Sequence, residues 1–273
     1  KGWKTGGVLS LTGSQISFTN WAAGGENSIS ANSFVNLFAN FKKDRMTWDN
    51  TLDLGFGMMK QGMGEESRYY KTDDKIDFSS KYGQYAFEHW YYTGLVSFKS
   101  QFTEGFKKIT DTVRISNFMA PAYLNVSIGM DYKPTDNFTL FISPLSGKIT
   151  YVTDTMLSAA GAYGVTPGET VRYEFGGYVK AQFKCNLAQN ISYTSRIDLF
   201  SNYLEKPQNI DVNWENIVNF KVNSFFSANF HITTMYDDDT KIDIDRNNDG
   251  VYDGKGARLQ IKQLFGMGIT YKF

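Results

Sequence analysis

A chain of 273 residues with 28 basic and 28 acidic side chains carries no formal net charge. That balance excludes a nucleic-acid binder or polyanion sponge. No window approaches 18 consecutive apolar residues, so a transmembrane helix is excluded, and the single cysteine, Cys185, excludes an internal disulfide. Aromatic residues reach 16% while prolines number 5. A slightly negative mean hydropathy is compatible with a membrane barrel, in which alternate residues of every strand face a polar interior.

Alternation with a period of two runs through almost the whole chain. It begins around residues 3–18 and resumes, after Asn20 to Ser28, with Ile29, Ala31, Val35, Leu37, Ala39 and Phe41 opposing Ser30, Asn32, Asn36 and Asn40. Phe34 and Phe38 interrupt that polar face. Past the charged turn 42–45, the cleanest strand sets Trp48, Asn50, Leu52, Leu54, Phe56 and Met58 against Thr47, Asp49, Thr51, Asp53, Gly55 and Gly57. A polar connection over 60–74 is expected next, then a weak strand over 75–82 and a strongly β-prone one over 89–102.

Residues 103–121 read as a long loop. Leu124, Val126, Ile128, Met130 and Tyr132 form the outward face of the next strand, which turns through 133–137 into a strand over 138–144. A further long loop is expected over 145–169. Strands then follow around Val171 to Lys184, Ile191 to Tyr203, Ile210 to Val222 and Phe226 to Tyr236, and a long acidic loop spans 237–256. The last strand places Leu259, Ile261, Phe265, Met267, Ile269, Tyr271 and Phe273 on one face and Arg258, Gln260, Lys262, Thr270 and Lys272 on the other. Its glycines, Gly266 and Gly268, fall on the polar face, where a crowded interior requires small residues.

About twelve strands result, joined by connections that alternate long and short. Sandwich folds have no reason to sort loop lengths by parity, whereas up-and-down outer-membrane barrels do, with tight turns in the periplasm and long loops outside the cell. The fold expected is therefore all-β: a single antiparallel up-and-down transmembrane barrel over residues 1–273, both termini periplasmic, in the outer membrane of a diderm bacterium. Aromatic girdles are expected from Trp48, Tyr82, Trp90, Tyr132, Phe138, Tyr271 and Phe273 at the short turns, and from Trp21, Tyr123, Tyr173, Tyr203, Trp214 and Tyr236 at the long loops. Lys1-Gly2-Trp3 shows no charged-then-apolar leader, which is expected if a signal peptide has been removed.

Asn20-Trp21-Ala22-Ala23-Gly24-Gly25, followed by Asn27-Ser28, resembles a family of Bacteroidota outer-membrane β-barrel proteins of unknown function. Trp3, Trp48-Asp49-Asn50 with Gly55 and Gly57, Lys71-Thr72-Asp73-Asp74, Trp90-Tyr91-Tyr92, Gln101-Phe102 with Gly105, and the Asp-rich loop before the last strand extend the resemblance over most of the chain. It implies an outer-membrane location and carries no activity with it.

Chemistry is sparse. His89 lies at a tight turn and His231 on a polar strand face, neither beside a nucleophile motif, so a lipid hydrolase is the lesser reading. Asp49, Asp53, Lys99, Glu174, Lys180, Arg196, Asp198, Glu215, Lys221, Arg258 and Lys262 are expected to point inward, where charges must be paired or wet. The leading reading is a non-enzymatic barrel, either a narrow channel for small hydrophilic solutes or a structural subunit of an envelope complex. Its expected partners are outer-membrane lipid, lipopolysaccharide and envelope proteins, with no nucleic acid. A hydrophobic-ligand conduit, suggested by Phe34 and Phe38, is a further alternative.

Before the last strand, Asp245-Arg246-Asn247-Asn248-Asp249-Gly250-Val251-Tyr252-Asp253 has the form D-x-N-x-D-G-x-x-D. Oxygens of Asp245, Asn247 and Asp249, the Val251 carbonyl and Asp253 suit a hard cation, with Asp243 as a further carboxylate, and Ca2+ is the ion expected. Gly256 stands where a bidentate glutamate would be, so the affinity expected is weak, ~10⁻⁴–10⁻³ M. Calorimetry with millimolar calcium should therefore show binding that Asp249→Ala abolishes without unfolding the protein; absence of heat would remove the site.

Overall fold

The computed structural model describes residues 2–17, 27–62, 68–106, 113–244 and 253–273. In chain order its strands are β1 (Gly2–Ile16), β2 (Ser28–Lys43), β3 (Met46–Gln61), β4 (Arg68–Phe87), β5 (Trp90–Ser100), β6 (Gly105–Phe106), β7 (Arg114–Ser116), β8 (Ala122–Thr135), β9 (Phe138–Tyr151), β10 (Val171–Ala188), β11 (Ile191–Asn202), β12 (Ile210–Lys221), β13 (Phe226–Tyr236), β14 (Ile242–Ile244), β15 (Gly254–Gly256) and β16 (Gln260–Lys272). Twelve of them close an antiparallel barrel in the order β1-β16-β13-β12-β11-β10-β9-β8-β5-β4-β3-β2. The remaining four form two small hairpins, β6 with β7 and β14 with β15, inside long connections. A single α-helix, α1 (Thr155–Ala159), and a 3-10 turn at Ala162–Gly164 are the helical elements among the described residues.

Parity of loop length holds around the whole barrel. Asp44-Arg45, Glu88-His89, Asp136-Asn137 and Gln189-Asn190 are two-residue turns at one end, together with residues 222–225, while every other connection is longer. Both chain ends lie at the tight-turn end, where Gly7 and Phe273 exchange backbone hydrogen bonds of 3.0 and 3.2 Å.

The outer face is apolar: outward-facing Leu9, Leu11, Ile128, Leu145, Phe265 and Ile269 are each between 48% and 65% exposed. Several polar groups on this face bond to one another. Trp48 Nε1 donates to Ser80 Oγ (2.9 Å), which donates to Asn50 (2.7 Å). On the far wall Trp214 Nε1 donates to Ser195 (2.9 Å) and Tyr193 Oη to Asn216 (2.6 Å). Aromatic rings meet near the tight turns, with Trp3 against Trp48 at 5.6 Å, Trp90 against Tyr132 at 4.9 Å and Tyr271 stacked on Phe273 at 5.9 Å. Tyr123 is a correction to the expected girdle. It shares a rung with inward-facing Lys99 and lies under the Lys148 ammonium, 5.9 Å from the ring centre, so it faces the lumen. Trp21 lies outside the described residues.

Two strands are longer than their patterns suggest. β4 begins at Arg68 rather than near 75, because a bulge opposite Gly57 and Met58 absorbs Thr72 and carries the ladder through the polar stretch. β9 runs to Tyr151 and passes Pro144, a residue with no N–H for the ladder. A register shift opposite Ile128 and Met130 accommodates the proline, and Gly129 makes the shift sterically feasible. A Cβ at Gly129 would lie 2.0 Å from the Ile142 carbonyl oxygen.

Beyond the long-loop end, residues 113–121 and 152–165 pack into a small cap over Ala120, Val152, Leu157 and Val165. Asp154 ties it together. Its carboxylate caps α1 by accepting from the amides of Met156 (3.0 Å) and Leu157 (3.2 Å), and it also accepts from Asn117 Nδ2 (3.0 Å) beside the Arg114 guanidinium (3.2 Å). These donors, Asn117 foremost, hold its pKa below the ordinary 3.8 despite desolvation. A depressed carboxylate pKa contributes stability above the unfolded value and loses it as pH falls through the folded one. The cap should therefore stay docked at neutral pH and loosen only below about pH 4. Asp154→Ala, which removes a cap of ~0.5–2 kcal/mol, should make residues 152–165 protease-sensitive at pH 7 while the barrel stays intact. Equal resistance of wild type and variant would contradict this role.

Candidate functional site

The lumen is where the chain concentrates its ionisable side chains. Inward positions follow from the ladder: Asp53 opposite Asp77, Lys99 opposite Asp77, and Lys180 opposite Asp198. The last two rungs set opposite charges side by side, whereas Asp53 and Asp77 are like charges whose repulsion is relieved by cations from other strands.

Near the tight turns Lys133 bridges Asp49 (2.6 Å) and Asp131 (3.3 Å), and Lys81 also reaches Asp131 (2.7 Å), whose side chain is fully buried. Farther along, Asp198 receives Lys99 (2.8 Å), Lys180 (3.1 Å) and the Tyr178 hydroxyl (2.7 Å). Toward the long loops, Lys148 pairs with Asp211 (2.8 Å) and Glu174 (3.4 Å), and Lys262 pairs with Asp73.

Two of the pairs span the barrel. Arg196 on β11 meets Asp53 on β3 at 2.6 Å, and Lys75 on β4 meets Glu215 on β12. In the strand order β3 lies six strands from β11, and β4 six strands from β12, so both pairs join diametrically opposite walls. Beside them Leu95, Phe141, Tyr178 and Phe200 form a buried apolar cluster inside the barrel. Ser127, Ser143 and Ser146 close the wall behind it through bonds of 2.8 and 2.9 Å. A small cleft at the long-loop rim is lined by Glu174, Asn202, Asp211 and Asp238 among others.

Near the tight turns the opposite sector is lined by hydroxyls. Ser10, Thr270 and Ser227 make a hydroxyl chain of 3.2 and 2.5 Å on β1, β16 and β13, with Asn229 donating to Ser10 at 3.4 Å. Phe38 lies over Gly6, where a Cβ would come within 2.8 Å of the ring, so the phenyl fills space that the glycine leaves.

Most inward charges expected from the sequence are where they were placed, including Asp49, Asp53, Lys99, Glu174, Lys180, Arg196, Asp198, Glu215 and Lys262. Arg258 differs, since it precedes β16 and bonds its neighbour's carbonyl, whereas Lys221 shares the last rung of β12 with inward Ser227 and is exposed at the rim. Asp73, Lys75, Asp77, Lys81, Lys133 and Lys148 were not singled out, because they fall in weakly patterned segments or in stretches read as turn or loop, and Asp131 and Asp211, on strands that were read, join the network with them.

His231 faces the lumen, its Nε2 3.5 Å from the Thr233 hydroxyl, and His89 sits in a tight turn 3.7 Å from Glu88. Neither has a serine or cysteine partner among the described residues. Of the calcium motif, Asp245, Asn247, Asp249 and Val251 lie outside the described residues. The β14–β15 ladder holds the backbone of Asp243 opposite Lys255, and the Asp253 amide donates to the Ile244 carbonyl at 2.7 Å.

A family model described as a protein of unknown function (DUF3078) matches residues 14–106. No curated protein matches the chain. Among solved structures, the chain is similar to the translocator domain of autotransporter NalP from Neisseria meningitidis, at 11% identity and a TM-score of 0.41, over 100% of this chain and 89% of that one. It is also similar to the COG4313 outer membrane channel from Pseudomonas putida F1, at 10% identity and a TM-score of 0.40, over 99% and 94% of the two chains.

Proposed function

We propose that this chain is a non-enzymatic outer-membrane barrel whose resting lumen is closed, acting as a structural subunit of an envelope complex. The tight turns and termini are periplasmic in this reading, and the docked cap faces outward. The observation that carries it is the pair of diametric ion bridges, Asp53 with Arg196 and Lys75 with Glu215, set beside an apolar cluster. An apolar exterior on a closed barrel supports the membrane placement, since strands of 11–20 residues meet or exceed the ~9–11 needed to cross a bilayer. Lipopolysaccharide and outer-membrane lipid are the surroundings this exterior suits, and calcium in the loop before β16 would serve contacts outside the cell.

A second reading, a narrow channel for small hydrophilic solutes, is favoured by the hydroxyl-lined sector around Ser10, Thr270 and Ser227. Planar-bilayer recording separates the two, using protein whose folding is verified by heat-modifiable gel mobility. Wild type should be silent at low voltage, and the Arg196→Ala/Lys75→Ala double variant should show discrete openings. Steady wild-type conductance would overturn the closed lumen and leave the channel.

A further inference from the structure

The barrel is not uniformly zipped. β1 pairs with β2 from Gly2↔Lys42 to Ile16↔Ser28, but with β16 only from Val8↔Lys272 to Gly13↔Met267. Continuing that register would set Ser14, Gln15 and Ile16 opposite Gly266, Phe265 and Leu264. All six residues are described, all lie in strands, and none of these rungs forms. The seam between β1 and β16 therefore parts at its long-loop half, while β16 remains laddered to β13 as far as Gln260.

Apolar side chains flank this gap on the outer face of β16. On β16 the outward residues flanking it are Phe265 (64% exposed) and Ile261 (57%). An open strand edge in hydrocarbon leaves backbone N–H and C=O groups without partners, at several kcal/mol each, and is tolerated only where a polar medium lines it. Two further polar groups mark the mouth. Gln15 and Gln263 are exposed on the otherwise apolar outer faces, and their amides make no hydrogen bond among the described residues. On the lumen side the gap opens onto hydrogen-bonding groups: Ser14 with Ser30 at 2.7 Å, Thr72 with Asn32 at 2.9 Å, and Lys262 with Asp73.

The geometry points to a lateral slot between β1 and β16 that takes a membrane amphiphile, its hydrogen-bonding head against the open strand edges and its hydrocarbon chain in the bilayer. An apolar solute would leave the edges and both glutamines unsatisfied. A water-soluble one would have nothing for Phe265 and Ile261. Only an amphiphile matches both sides. The slot rests on the membrane placement proposed above but not on the closed lumen, since it enters through the wall.

The test uses the full chain in phosphatidylethanolamine and phosphatidylglycerol vesicles containing a phospholipid with a photoactivatable head group. A Gln15→Cys/Phe265→Cys pair in a Cys185→Ser background locks the slot by disulfide or by a short bis-maleimide. Before locking, adducts are expected on the inner-face peptide containing Ser30 and Asn32; after locking they should fall at least fivefold, with outward adducts at Ile261 and Leu11 unchanged. Equal inner-face labelling in both forms, or labelling confined to outward residues, would overturn the proposal and leave ordinary surrounding lipid or water. Hydrogen exchange in the unlocked protein provides a readout independent of the lock: odd-numbered amides of β16 face β1, as Phe273 does, so the Phe265 amide should exchange ahead of those of Met267, Ile269 and Tyr271, and equal protection would also overturn it. Neither readout depends on conductance, so a leaky lumen and an absent slot are separately visible.

Discussion

The structure depends on charges that meet across the lumen. Removing one member of a buried ion pair strands the other in a medium that solvates it poorly, at ~3–5 kcal/mol. The buried Asp53 carboxylate receives Arg196 from the opposite wall and an amide hydrogen bond from Asn36. Lys75 to Glu215 repeats the same cross-barrel arrangement one strand along. Closing the strands into a barrel brings these groups together, and their pairing makes the closed interior tolerable. Shape and charge are thus one constraint.

That constraint also accounts for the backbone irregularities. Inward side chains must reach the bore at set heights, so the ladder shifts where the pattern would otherwise misplace them. The shift past Pro144 brings Lys148 inward to Asp211 and Glu174, whereas Asp73, which meets Lys262, still lies in the unbroken register just before the bulge at Thr72. Polar groups on the outer face obey the same rule on a smaller scale: Trp48, Ser80 and Asn50, and likewise Trp214 with Ser195, bond within the wall.

Alternation and loop parity made the barrel, its strand number and its inward-outward assignment legible, because both follow directly from strand geometry. Bulges hid the rest. Thr72 breaks the period in β4, leaving Lys75 and Asp77 in a weakly patterned strand, and Pro144 imitates a strand end, so Lys148 sat in a stretch that reads as loop. Lys133 looked like part of a turn, although the two-residue turn is Asp136-Asn137. Pairing partners were beyond reach for a different reason: contacts such as Asp53 with Arg196 join residues far apart in the chain, and barrel closure alone decides which inward charges meet. The seam gap had no sequence signal except Gln15 and Gln263 on apolar faces.

Whether the cross-lumen bridges hold the barrel closed is best tested by a double-mutant cycle on the unfolding free energy in detergent micelles, using Asp53→Ala, Arg196→Ala and both together. Each single change should cost ~3–5 kcal/mol, and the double variant should cost less than their sum by ~2–3 kcal/mol. Additivity within ~0.5 kcal/mol would show that the two side chains do not meet across the lumen, and would contradict the account.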